Sequence, residues 1–162
     1  MSYIPKYILK RMIPEDSFFN TCKETPGEPD MFGFYIINVL SPLSIPAEIP
    51  SDPEELAKLA GVDDLSKLIT VGVDGSDLDF DISKLELKYE DKIVTLANLA
   101  DAAGVTIPVG GKLVIMYAYP GGLSVGEHEI TVKINIGGGA QEISAKRELK
   151  EDRAALPYPP EV

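Results

Sequence analysis

"GEHEITVKINI", residues 126–136, is the stretch on which the fold turns. His128, Ile130, Val132, Ile134 and Ile136 share one parity, while Glu127, Glu129, Thr131, Lys133 and Asn135 share the other. Successive side chains of a strand point to opposite faces, so this alternation predicts a β-strand over "EITVKINI" (129–136), with one apolar and one polar face and His128 at its entrance. His128, the only histidine in the chain, sits at the start of the strand on the apolar parity. Its neighbours Glu127 and Glu129 point the other way and are not placed to orient the imidazole or to share a metal with it. His128 therefore reads as a structural residue, its ring packed and hydrogen-bonded to backbone.

Outward from this segment, short apolar runs separated by Gly, Pro and Asp recur along the chain. "KYILKRM" (6–12), "FGFYIINVL" (32–40), "LITVGV" (68–73), "KLELKYE" (84–90) and "KLVIMYAY" (112–119) read as strands, with "EISAKREL" (142–149) a weaker one. The turn-rich stretches "TPGEPD", "VDGSD", "PVGG", "PGGLSVG" and "GGG" punctuate them, which is the rhythm of a sandwich or barrel. The fold class is all-β: an antiparallel β-sandwich, jelly-roll-like, with two short helical insertions. In "SDPEELAKLAG" (51–61) Asp52 can cap, Pro53 fits the first helical position and Gly61 can end the helix. In "TLANLADAAG" (95–104) Thr95 caps, Leu96, Leu99, Ala100 and Ala103 form a stripe, and Gly104 terminates it. Residues 1–149 form a single domain, followed by a charged, proline-rich tail, 150–162, that favours an extended conformation.

Two strands are too apolar for a sheet with one wet face. In "FGFYIINVL", Phe32, Phe34, Ile36 and Leu40 oppose Tyr35, Ile37 and Val39; in "KLVIMYAY", Leu113, Ile115, Tyr117 and Tyr119 oppose Val114, Met116 and Ala118. Both faces need cover, from the helical insertions, the tail or another subunit. Phe34, Tyr35, Ile37, Val39, Met116, Tyr117 and Tyr119 are accordingly the candidate partner interface.

The 162 residues suit one core, and a 44% hydrophobic fraction is that of a globular protein. A net charge of −11 without a Lys/Arg cluster argues against nucleic acid or an anionic membrane as partner. "MSYIPKYILKRM" has the pattern of neither a secretory signal nor a membrane span, and a single cysteine, Cys22, excludes an intramolecular disulfide. The expected location is the cytoplasm.

Few groups are suited to chemistry. An EF-hand loop opening at Asp77 would need Gly and Glu where Ile82 and Lys88 stand, so Asp77, Asp79 and Asp81 read as turn or strand residues. Cys22 has only Lys23 beside it to lower its pKa. No glycine cluster has phosphate-loop spacing. No catalytic, cofactor-binding or metal-binding residue is assigned.

The order "KYILKRM", "GFYIINVLSPLSIP", "ITVGVDG", "TLANLAD", "KLVIMYAYPGGLSVGEHEITVKI" resembles the small β subunit of bacterial C-glycoside deglycosidases over residues 6–136, best at 112–134. The segment 50–67 is longer than in that family, and the chain beyond 140 has no counterpart there. The resemblance implies a non-catalytic accessory subunit in a hetero-oligomer with a larger TIM-barrel-type α subunit. That partner would hold a divalent metal, manganese in the family's usual form, and the acid/base groups. The substrate implied is a 3-oxo-C-glycoside such as an oxidised flavonoid C-glucoside, whose sugar–aglycone C–C bond is cleaved. Two alternatives stand beside it: a stand-alone carbohydrate-binding β-sandwich with Tyr117 and Tyr119 as stacking platforms, and a homo-oligomeric structural protein.

Overall fold

The computed structural model describes residues 11–39, 42–44, 52, 54, 55, 58, 69–77, 82–136, 139–158 and 160. Its strands are β1 (Phe19–Cys22), β2 (Met31–Ile37), β3 (Leu43–Ser44), β4 (Ile69–Val73), β5 (Ser76–Asp77), β6 (Leu85–Tyr89), β7 (Lys92–Val94), β8 (Thr106–Ile107), β9 (Lys112–Ala118), β10 (Gly126–Ile136), β11 (Gly139–Leu149) and β12 (Leu156–Pro157). They form a six-stranded sheet, β12-β1-β2-β9-β6-β7, a four-stranded sheet, β11-β10-β4-β5, and the small pair β3-β8. The fold is all-β and sandwich-like. Every pairing is antiparallel except β12 with β1, which is parallel.

The parities of β2, β9 and β10 place the core. Phe32, Phe34, Ile115, Tyr117 and Leu85 from the large sheet pack against Val71, Val73, Ile130, Val132, Ala145 and Leu149 from the small one. The large sheet needs close approach at Gly33. A Cβ on Gly33 would lie 2.6 Å from the Phe19 ring and 2.7 Å from the Ile115 carbonyl oxygen, so only glycine fits there.

The opposite, outer face of the large sheet carries a second cluster of Phe19, Met31, Tyr35, Val114 and Met116. Its cover comes from the chain itself. Leu156 and Tyr158 of the tail pack onto it, joined by Ile37. Of the three covers considered from sequence, the tail is the one seen here, and it is partly a strand. A short 3-10 turn, Glu151–Arg153, leads into it.

The first insertion is helical with its Asp52 cap where it is described, and the second differs from the expected helix. Glu54, Glu55 and Lys58 are helical, and Asp52 Oδ1 accepts from the Glu54 amide at 3.0 Å; the rest of 51–61 lies outside the described residues. Leu96–Ala102 is 3-10, not α, and kinks at Asn98 (φ −131°, ψ 37°). The Asn98 side chain accepts from the Thr95 amide and hydroxyl, at 2.6 and 2.8 Å, and donates to the Ile93 carbonyl, which holds the turn in a non-helical shape. Gly104 ends it at φ +75°. Within "KYILKRM", Arg11 and Met12 are helical rather than extended, and residues 6–10 lie outside the described set. Asp79 and Asp81 also lie outside it.

Candidate functional site

β10 delivers His128 to the edge of the core, where the residue is 8% exposed. Its Nε2 lies 2.7 Å from the Ser124 carbonyl oxygen, and its Nδ1 lies 2.8 Å from Asp74 Oδ2. A carbonyl oxygen only accepts, so Nε2 carries a proton; an ionised carboxylate only accepts, so Nδ1 carries one as well. The geometry therefore selects the imidazolium. Burial pulls the His128 pKa down, but the hydrogen bonds to Asp74 and Ser124 and the Asp74 charge outweigh it, and the net shift is upward. Asp74 is held below the usual carboxylate range, first by the Glu129 amide and then by His128.

Asp74 reaches this position through the turn chemistry of "VDGSD". Asp74 and Gly75 both have positive φ, 53° and 82°, as the two-residue turn between Val73 and Ser76 demands. Its backbone amide donates to the Glu129 carbonyl at 2.8 Å and its Oδ1 accepts from the Glu129 amide at 2.9 Å. One aspartate thus extends the β4–β10 ladder and supplies the counter-charge for the histidine.

Asp74, His128 and Ser124 have the residue types of a serine hydrolase triad, yet not its geometry. Ser124 Oγ is 3.4 Å from Nε2, whereas the Ser124 carbonyl is closer, at 2.7 Å, and takes the Nε2 proton. A general base needs a free lone pair at Nε2 facing the hydroxyl. Here that nitrogen braces a loop instead.

The loop is braced from its other side too. Asn20, 2% exposed on β1, donates from Nδ2 to the Leu123 carbonyl at 2.7 Å and accepts the Leu123 amide at 2.8 Å. Gly122, at φ +66°, lets this happen: a Cβ there would stand 2.5 Å from Asn20 Cγ. Asn20 was missing from the sequence reading, because β1 lacks an alternating pattern to announce it.

Of the seven candidate interface residues, Phe34, Tyr35, Met116 and Tyr117 are buried by the chain itself. Ile37 is half-buried against the outer cluster, and Val39 and Tyr119 are half-buried against the main core. The surface that Phe34, Tyr35, Met116 and Tyr117 were expected to offer a partner is already covered, by the second sheet on one side and the tail on the other. The Tyr119 ring packs edge-on to Phe32, with centroids 5.4 Å apart, and the Tyr117 ring is tilted against Phe32 at 6.2 Å. Neither is free as a sugar platform on both faces.

The outer face also holds charge. Glu86 on β6, 6% exposed, accepts from Lys23 Nζ at 2.7 Å and from the Tyr158 hydroxyl. The Tyr35 hydroxyl donates to Asp16 Oδ1 at 2.7 Å, and Arg153 approaches Asp16 Oδ2 at 3.4 Å. Burial, followed by the Asp16 hydrogen bond, pushes the Tyr35 pKa up to about 12; burial and then Glu86 raise that of Tyr158 further.

Among the described residues no group of three His, Cys, Asp or Glu side chains could hold a metal. No described helix is long and apolar enough to cross a membrane. Two open grooves, of about 430 and 540 Å³, flank the Tyr89–Glu90 turn and are not lined by His128, Asp74 or Glu86. No protein-family model matches the chain, and no curated protein matches it.

Proposed function

We propose that this chain is the accessory, non-catalytic β subunit of a cytoplasmic, heteromeric C-glycoside deglycosidase, partnered by a larger TIM-barrel-type α subunit. The observation that carries this reading is the engagement of the one histidine: both ring nitrogens are committed to bracing, at 2.7 and 2.8 Å, which leaves neither as a base. The resemblance of residues 112–134 to that family supplies the activity.

In this reading the chemistry belongs to the partner. A ketone at C3 of the sugar acidifies the C2 proton; a base removes it, a C1–C2 double bond forms, and the aglycone leaves C1 with the electrons of the broken bond and takes a proton from an acid group of the partner. A divalent metal held by the α subunit, manganese in the usual form, would stabilise the enolate. The substrate is a 3-oxo-C-glycoside such as an oxidised flavonoid C-glucoside. This chain would contribute a rigid all-β frame, not reacting groups.

The test is the assembly state. Co-expression with the barrel subunit of such an enzyme, followed by mass measurement, should give a hetero-oligomer of defined stoichiometry. A chain that stays alone in the mixture and binds simple glycosides saturably would point to a carbohydrate-binding module. A chain that instead forms only copies of itself would point to a structural homo-oligomer.

A further inference from the structure

We propose that the outer face of the six-stranded sheet is a binding site for an extended peptide segment with the pattern Leu-Pro-Tyr. Residues 156–158 occupy it in cis, and a segment of the same pattern displaces them in trans.

The face has the parts of a peptide site. β1, which is the sheet edge once β12 is lifted, receives the segment by parallel pairing, Thr21 opposite Leu156 and Cys22 opposite Pro157. Thr21 Oγ1 adds a hydrogen bond to the Leu156 carbonyl at 3.0 Å. This is strand addition to a sheet edge, in which backbone pairing supplies attachment and side-chain seats supply selectivity. The aliphatic seat is the cluster of Phe19, Met31, Tyr35, Val114 and Met116, against which Leu156 and Tyr158 pack.

Glu86 is the selective element. A carboxylate on an apolar sheet face costs stability unless its oxygens are matched. One oxygen takes Lys23 at 2.7 Å and the other takes the Tyr158 hydroxyl. Lys23 Nζ also lies 5.4 Å from the centre of the Tyr158 ring. Lys23 and Glu86 together form a receptor for a phenol, and phenylalanine in place of tyrosine leaves one Glu86 oxygen unmatched.

The resident segment is also held so that it can leave. Its ladder is two residues long, and Pro157 has no N–H to donate. The turn before it, Glu151–Arg153, has no buried residue. The Arg153–Asp16 contact is long, at 3.4 Å. Leu156 and Tyr158 pack on the outer cluster and not on the core between the two sheets, which the tail touches only through Ala154.

The test uses the 162-residue chain carrying Leu156→Asp and Tyr158→Ala, which releases the segment but keeps the receptor. A fluorescein-labelled peptide AALPYPP is titrated in by anisotropy. The released variant should bind about tenfold or more tighter than the wild-type chain, whose site is already filled. A peptide with Phe for Tyr, or Glu86→Gln in the protein, should weaken binding by about tenfold or more. Equal binding by the folded released variant and the wild type, or indifference to the Phe peptide, overturns the proposal. Should that variant not fold, hydrogen exchange of the wild-type chain decides. Leu156 and Tyr158 amides exchanging about a hundredfold faster than those of β2 and β9 supports a displaceable segment, and exchange at the same rate overturns it.

Discussion

Replacing Asn20 with alanine isolates the energetic role of the loop brace. The wild-type amide makes two hydrogen bonds, at 2.7 and 2.8 Å, to the amide and carbonyl of a single residue, Leu123, in a site shielded from water. Alanine removes both partners at once and leaves two backbone groups without them. Each unmatched buried group costs about 1–3 kcal/mol, so a loss of about 3 kcal/mol is expected, taking the two as sharing one relaxation of the loop. For a chain of 162 residues that corresponds to a fall in Tm of about 6–12 °C. Differential scanning calorimetry and urea unfolding at neutral pH both measure it. The amides of Val125 and Gly126, next to the braced residues, should lose protection against hydrogen exchange more than those of β2. A fall in Tm below about 2 °C, with unchanged exchange in the loop, would refute the reasoning that Asn20 holds the loop.

Two further outcomes follow from the titratable groups. NMR of the imidazole should show a titration midpoint above the ordinary value of about 6.5, with both ring nitrogens protonated below that midpoint. Because the folded pKa of His128 is raised, its contribution to stability is complete below its unfolded pKa and is lost as pH rises through the folded one; that of Asp74, whose pKa is lowered, is present above its unfolded pKa and is lost as pH falls through the folded one. Asp74→Asn should bring the midpoint down; a His128 that titrates at or below its ordinary value would contradict the imidazolium assignment. Ultraviolet titration of the wild type against Tyr35→Phe should place the Tyr35 hydroxyl at about 12, with Asp16→Asn lowering it only in part because burial is the larger cause. Stability from this group is complete below pH ~10 and lost as the pH climbs through the folded value.

The strands with unbroken alternation were legible in the sequence. β10 and β6, which alternate, and β9 and β2, which are continuous apolar runs, all stand within a few residues of their expected positions, and parity matches burial most closely along β10. β1 was not legible. Its "FNTC" places Asn20 and Thr21 in the interior, and each is tolerated only because a partner more than a hundred residues away, Leu123 or Leu156, completes its hydrogen bonds. No local pattern encodes that. The role of His128 was half legible. Parity placed the ring inward, and "VDGSD" marked a turn, but the meeting of Asp74 and His128 depends on β4 pairing with β10 at one register. The tail was read as extended and as one of three possible covers; which cover the outer face takes depends on the long-range pairing of β12 with β1, which no local pattern encodes. At Thr95 the helix-start signal was real, yet the Asn98 side chain competed for the same backbone groups and produced a 3-10 turn.

The double apolarity of β2 and β9 was the strongest reason to expect a partner. The structure gives that apolar surface a different use, since the second sheet and the tail cover most of it. What remains in favour of an accessory role is the commitment of the histidine and the family resemblance of residues 112–134. In the proposed assembly Phe34, Tyr35, Met116 and Tyr117 are withdrawn from the docking surface, and Ile37, Val39 and Tyr119 are the half-buried residues that remain of the seven first picked out.

Turnover of a 3-oxo-C-glycoside tests the central claim most directly. Release of free aglycone is followed with the barrel subunit alone, this chain alone, and the two combined in the presence of manganese. The expected result is no release by this chain alone and turnover that requires the barrel subunit and rises when this chain is added. Aglycone release by this chain alone, or a barrel subunit indifferent to its presence, would contradict the account.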